Sequence, residues 1–418
     1  MTYTNHWFFY LFASVYFFHE ILETYLTLLN RKHVLQHRGE VPEYFKESID
    51  FATYQKSIAY NLEKANFGLL MRWIGVGLTW GIILSGGFDK LGEQLSFWVS
   101  SQSLSYSVLY CLAVGFFILI LGIPSSLYSQ FVIEEKYGFN KMTGKLFVVD
   151  LLKSILLSLV LGLPLLYLLF WLYQVSGEYW WLWAFLAFFG FQLFLAAVYP
   201  TFLAPLFNKF IPLADGTLKQ AIEDIAQKVK FKMSGIFTID GSKRSSHSNA
   251  YFAGLGKFRR IVLFDTLIHQ MNEEEIVSVL AHEMGHNKKR HIQKQLLLGF
   301  VSGLLSFWIL SLLMTWQPFY QTFQAGNPNP GKALVLFSLF GGSFGFFITP
   351  FTNYLSRKYE YEADGFSVQA TGKTAPMISS LLKLSKENLS NLKPHPWYSF
   401  YHYTHPTTLE RIQAIEKA

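Results

Sequence analysis

The chain has 418 residues, 51% of them apolar and 18% aromatic but only 15% charged, a balance too apolar for an ordinary soluble domain. Its net charge of +7 raises the question of nucleic acid, yet no basic run with interleaved aromatics occurs that membrane orientation leaves unexplained, so no nucleic-acid partner is expected. The single cysteine, Cys111, excludes disulfides within the chain and thiolate metal sites.

Seven windows are long enough to cross a bilayer core of about 30 Å: 7–28, 67–88, 107–129, 148–173, 180–203, 296–316 and 334–356. The first reads as a retained span, because a cleavable signal would carry a basic n-region and would lack His19, Glu20 and Glu23. Charge there is costly, so Glu20 and Glu23 either face water or partners, or sit near the cytoplasmic mouth of a tilted helix. Asp150 and Lys153 read as interfacial, and Trp180, Trp181 and Trp183 as an aromatic belt. Lys and Arg number 6, 3, 14 and 8 in the segments after spans one, three, five and seven, against 1, 0 and 1 after spans two, four and six. The positive-inside rule then puts the N-terminus outside and the C-terminus in the cytoplasm.

Two polar stretches are long enough to fold, 204–295 and 357–418, and together they make one cytoplasmic domain in two pieces. They are separated by spans six and seven within 296–356 and preceded by five spans within 1–203. In the first stretch Gly216–Lys230 has helical periodicity, while Gly235–Asp240, Asn249–Leu255 and Arg260–Asp265 read as short strands. Asn272 with Glu275 makes a capping box that starts a helix running through about His291.

On this helix lies His282-Glu283-Met284-Gly285-His286, the H-E-x-x-H pattern. Imidazoles four residues apart share one helix face and can grip one zinc ion, with Glu283 beside them as general base. Zinc with three protein ligands keeps a place for water and lowers its pKa towards about 7, which is the chemistry of peptide hydrolysis. His291 fails as the third ligand, because the extended metzincin pattern needs glycine and histidine where the chain has Lys289 and Ile292. Glu360 and Asp364, four apart on the helix leaving the last span, suit a ligand and an acceptor that orients a ligating histidine, while Glu362 points elsewhere.

With these motifs the chain resembles the type I CAAX prenyl proteases, multi-spanning zinc metallopeptidases with a gluzincin-like catalytic domain. The likeness extends to Glu134-Glu135-Lys136-Tyr137-Gly138-Phe139-Asn140, Ala204–Lys209, Ser248-Asn249-Ala250-Tyr251-Phe252, Ser356–Asp364 and Tyr403-Thr404-His405-Pro406-Thr407. It implies a mainly α, multi-pass membrane protein with seven transmembrane helices around a water-filled chamber and a cytoplasmic zincin-like α+β catalytic domain. It assigns one zinc to His282, His286 and Glu360, and places substrate backbone along Asn249 and Ala250. His405 then faces the oxyanion, supported by Arg411.

The expected activity is a zinc metalloendopeptidase acting near the C-terminus of peptide or protein substrates, lipid-modified if they are CAAX proteins, in contact with membrane lipids and as a monomer. The end Ile415-Glu416-Lys417-Ala418 lacks a dilysine-type signal, which favours a bacterial inner membrane over the endoplasmic reticulum. A heat-shock-type quality-control metalloprotease shares the zinc motifs but has fewer spans. A transporter or lipid-binding protein with a structural metal would have no need of Glu283.

Overall fold

The computed structural model describes residues 7–254 and 259–417. Its first half is helical: α1 (Trp7–Gln36), α2 (Phe51–Leu84), α3 (Gly87–Ser96), α4 (Leu104–Tyr128), α5 (Glu135–Tyr137), α6 (Gly144–Val175) and α7 (Trp180–Val198). Side-chain oxygens of Asp50, Ser103 and Thr143 accept from backbone N–H groups that open α2, α4 and α6. A π-helical stretch, Ser129–Glu134, joins α4 to α5, and Gly138 at φ 87° ends that run where a side chain would be strained.

Five helical stretches are long and apolar enough to cross a membrane: Phe51–Leu84, Leu104–Tyr137, Gly144–Val175, Gly177–Leu206 and His291–Leu313. Only 6% to 22% of their apolar windows is buried inside the protein, so the remaining apolar surface needs hydrocarbon as its solvent. The last expected span is not one straight helix. It is α13 (Pro330–Gly345) followed by α14 (Thr349–Thr371), bent by 65°. Residues 346–348 separate the two helices, and Pro350 in the first turn of α14 has no N–H to carry the hydrogen-bond ladder across the break.

The polar half begins with α8 (Thr217–Lys228) and a sheet of β1 (Phe210–Pro212), β2 (Gly235–Ile239), β3 (Ala250–Ala253) and β4 (Arg260–Phe264) in the order β1-β2-β4-β3. β2 and β4 are parallel, and β3 pairs antiparallel to β4 with Ala250 opposite Leu263, which leaves β3 an edge strand. The three strands expected from sequence are present; Leu255, in the second of them, lies outside the described residues. After α9 (Asp265–Gln270), α10 (Glu273–Lys288) covers the sheet through Ile276, Leu280, Ala281 and Met284, packed with Ile222, Ile261, Leu263 and Leu267.

The α10 helix ends earlier than the periodicity predicts. Arg290 is left-handed at φ 58°, and His291 opens the next helix, α11 (His291–Leu313). The chain closes with α12 (Gln317–Thr322), the α13–α14 pair, α15 (Ala375–Glu387), α16 (Pro396–His402) and α17 (Thr408–Glu416).

Candidate metal centre

Three elements bring the site together. The capping box at Asn272 and Glu275 starts α10, so His282 and His286 fall on one face four residues apart. α14 crosses α10 with Glu360 towards them, and the crossing is close because residue 285 is glycine. A Cβ there would stand 3.1 Å from the Ala363 Cα and 3.1 Å from the Phe366 Cβ. The second x of the H-E-x-x-H motif is thus set by packing of the helix that carries Glu360.

One ligand atom from each of His282, His286 and Glu360 converges: His282 Nε2 is 3.1 Å from His286 Nε2 and 3.5 Å from Glu360 Oε2, and His286 Nε2 is 3.2 Å from Glu360 Oε1. Glu360 Oε2 is buried with no hydrogen-bond partner, a cost of about 1–3 kcal/mol or more that a cation would remove. Two imidazoles and a carboxylate are a donor set suited to zinc, and the residues present therefore fit the ion.

Behind the ligands, Asp364 Oδ1 lies 2.7 Å from His282 Nδ1. Arg411 of α17 holds both oxygens of that carboxylate, through Nε at 2.8 Å and Nη2 at 2.6 Å. Burial opposes charge on His282, but the Asp364 carboxylate bonded to it and the Glu360 carboxylate beside it outweigh that and push its pKa up to about 9. Withdrawal from water likewise pushes the Glu283 carboxyl above its ordinary range, against the pull of the two histidines.

A cleft of about 520 Å³ runs over these groups and is lined by Asn249, Ala250, Glu283, His286, His405 and Arg411 among others. The residues named from the sequence for catalysis, metal and substrate therefore meet at this cleft, with Asp364 directly behind His282. The His405 ring is 63% exposed to this cleft, its Nε2 is 3.5 Å from Glu360 Oε1, and its Nδ1 is 2.9 Å from Thr404 Oγ1. Asn249 carries the entry to β3: its carbonyl accepts from Phe264 N–H at 3.1 Å.

Sequence reasoning gave Thr404 no role of its own and weighed the two groups behind His286 only as candidates for the ligand set. Its Nδ1 lies 3.0 Å from His291 Nδ1, and His291 Nε2 lies 3.0 Å from Glu362 Oε2. Glu362 does point away from the ligand face, as its spacing implies, but towards His291. The available signal was a histidine five residues beyond the motif with an acid two residues beyond Glu360, and it becomes readable only once the break at Arg290 is known.

Residues 30–209 match the family model described as "CAAX prenyl protease N-terminal, five membrane helices", and residues 212–418 match "Peptidase family M48". A CAAX prenyl protease 1 homolog from Oryza sativa is 36% identical over 409 residues, covering 95% of each chain. CAAX prenyl protease 1 of Saccharomyces cerevisiae is 33% identical over 94% of this chain and 92% of its own. The crystal structure of S. mikatae Ste24p superposes with a TM-score of 0.90 at 31% identity, covering 98% of this chain and 99% of that one. On these likenesses over nearly its whole length, the chain belongs to the M48 peptidases of CAAX prenyl protease type, a family of multi-pass membrane zinc metalloendopeptidases.

Proposed function

We propose that one zinc ion per chain is held by His282, His286 and Glu360, and that the enzyme hydrolyses a peptide bond near the C-terminus of CAAX-type substrates. The observation that carries this is the convergence of three ligand atoms beside a carboxyl whose pKa is raised, with Glu283 next in sequence to His282 on the same helix. When bound, zinc supplies Lewis acidity and lowers the pKa of water at its open position.

The chain's own groups do the rest. Glu283 takes the proton from the attacking water and delivers it to the leaving amine. His405 faces the oxyanion through Nε2, the tautomer with its proton there being the one in which Nδ1, 2.9 Å from Thr404 Oγ1, accepts from that hydroxyl. Asn249 leads into edge strand β3 and Ala250 opens it, its N–H donating to Asn249 Oδ1 at 2.8 Å; an extended substrate that takes over this donor pairs with the side of β3 away from β4, so a scissile bond is held in register. Asp364 and Arg411 fix the ring of His282 from behind.

The substrate is a peptide ending in a CAAX box whose cysteine carries a lipid, a class suggested by the names of the relatives. The reading extends to seven spans, counting α1 and the bent α13–α14 pair, around a chamber; charge asymmetry of the loops places 204–295 and 357–418 in the cytoplasm as one catalytic unit and the N-terminus outside. A monomer completes it, and with a prenylated substrate its membrane is that of the endoplasmic reticulum, the alternative to a bacterial inner membrane.

The test uses purified, zinc-quantified protein and a farnesylated CAAX peptide, comparing wild type, Glu283→Gln and a chelator-treated sample. Cleavage confined to untreated wild type is expected, with Glu283→Gln retaining its zinc and losing about 10²- to 10⁴-fold in kcat. Undiminished turnover by Glu283→Gln sinks the mechanism. A zinc-loaded wild type that cleaves unmodified peptides but not this one removes the lipid-modified substrate and leaves the chemistry.

A further inference from the structure

We infer that His291 and Glu362 form a positioning relay for the metal ligand His286, so that the metal's grip depends on the first residue of a membrane-crossing helix. This rests on the metal site proposed above. His282 has its carboxylate directly behind it, in Asp364 at 2.7 Å. For His286 a second imidazole stands in that place, with a carboxylate one step further on: Nδ1 to His291 Nδ1 at 3.0 Å, then His291 Nε2 to Glu362 Oε2 at 3.0 Å.

The two contacts fix the protons. His286 Nε2 faces the other ligands, 3.2 Å from Glu360 Oε1, so coordination there leaves the ring proton on Nδ1. Nδ1–H can then donate only to an unprotonated His291 Nδ1. The His291 proton must sit on Nε2, where the Glu362 carboxylate accepts it. Both bonds run in one sense, from metal ligand to carboxylate, and each increases electron density on the ring before it.

The relay is built, not incidental. His291 is 1% exposed and stacks on Tyr359 at 4.3 Å with rings 14° apart. It opens α11 directly after the left-handed Arg290, and that break turns its ring back to His286. Tyr359 and Glu362 flank Glu360 on α14, so the helix that supplies the third ligand also sets the relay.

The experiment measures zinc affinity of the full-length protein in detergent by chelator competition, together with the visible spectrum of the cobalt-substituted protein. His291→Phe keeps the stacking on Tyr359 but has no acceptor, and it is expected to weaken zinc about 10- to 100-fold and to shift the cobalt bands. His291→Asn places an amide oxygen near the position of Nδ1 and is expected to stay within about threefold of wild type, since an acceptor is what His286 requires. Glu362→Gln should fall between them. His291→Phe matching wild type in affinity and spectrum, or a folded His291→Asn as weak as His291→Phe, overturns the relay. If His291→Phe does not fold, an unchanged affinity in Glu362→Gln overturns it instead. Wild type that binds no metal would sink the metal site itself, a distinguishable result.

Discussion

His405 shows how much one residue's role depends on its surroundings. A histidine before proline is ordinarily a turn residue on the surface. Here its ring stands in the cleft 3.5 Å from Glu360, with its Nδ1 against the neighbouring Thr404 hydroxyl at 2.9 Å. Because it lies beyond the ligands, its removal should spare the metal: His405→Ala is expected to lower kcat about 10²- to 10³-fold with zinc content unchanged, read by steady-state kinetics and metal analysis on one preparation. Loss of zinc with activity would make it a structural support instead. Gly285 makes the opposite point, since its neighbours are chemical and its own role is steric; any Cβ there meets the backbone of α14.

Helix α10 was legible because the signals that start it are local. Asn272 and Glu275 need only each other, and the capping box they form is present as expected. What sequence could not show is that Glu275 also ties α10 to α15. Its buried carboxylate accepts from Ser379 Oγ at 2.5 Å and pairs with Lys383 Nζ at 2.7 Å. Burial opposes its charge, yet these partners and the Asn272 N–H together hold its pKa below the ordinary carboxylate value. A pKa lowered by folding stabilises the fold fully above the unfolded value and loses that contribution as pH falls through the folded one. Glu275→Gln should therefore unfold about 1–3 kcal/mol more easily at pH 7, the gap to wild type closing below about pH 4 in thermal scans. An equal gap at both pH values would show that packing, not charge, is what the residue contributes. Elsewhere local signals failed for physical reasons: β1 has three residues ending in proline and exists only because β2, nearly thirty residues on, pairs with it, and the straight last span ignored Pro350.

Across the whole molecule, polar groups that looked out of place in the spans turn out to be joints. Glu20 and Glu23 of α1 accept from Arg72 of α2, at 2.8 and 3.0 Å, so their partner stands on a helix long and apolar enough to cross a membrane. Asp150 of α6 takes the Arg244 guanidinium at 2.8 and 3.1 Å, and that residue also reaches Asn208, clamping the segment that leads into β3 to the membrane half. The Glu134–Asn140 stretch serves the same joint: Asn140 bridges to Ser245, Ser246 N–H donates to the Phe139 carbonyl, and His247 stacks on Phe139 at 4.0 Å. Breaking one partner of a buried pair costs more than removing the pair. Arg72→Met should destabilise the detergent-solubilised protein by about 3–5 kcal/mol in thermal unfolding, and adding Glu20→Gln with Glu23→Gln should recover part of it. No recovery would mean that Arg72 acts through packing alone.

The sequence by itself determined the membrane character, the H-E-x-x-H helix with its cap and the family, because each is written in composition or in motifs of a few residues. Only the tertiary structure decided the bend at Pro350, the partners of Glu20, Glu23 and Asp150, the edge position of β3 and the histidine behind His286. The partners of the buried acids and the edge of the sheet depend on which distant segments meet, and hydrogen bonds between residues tens of positions apart leave no periodicity in the chain to read; the ring behind His286, five residues on, is turned to it by the break at Arg290.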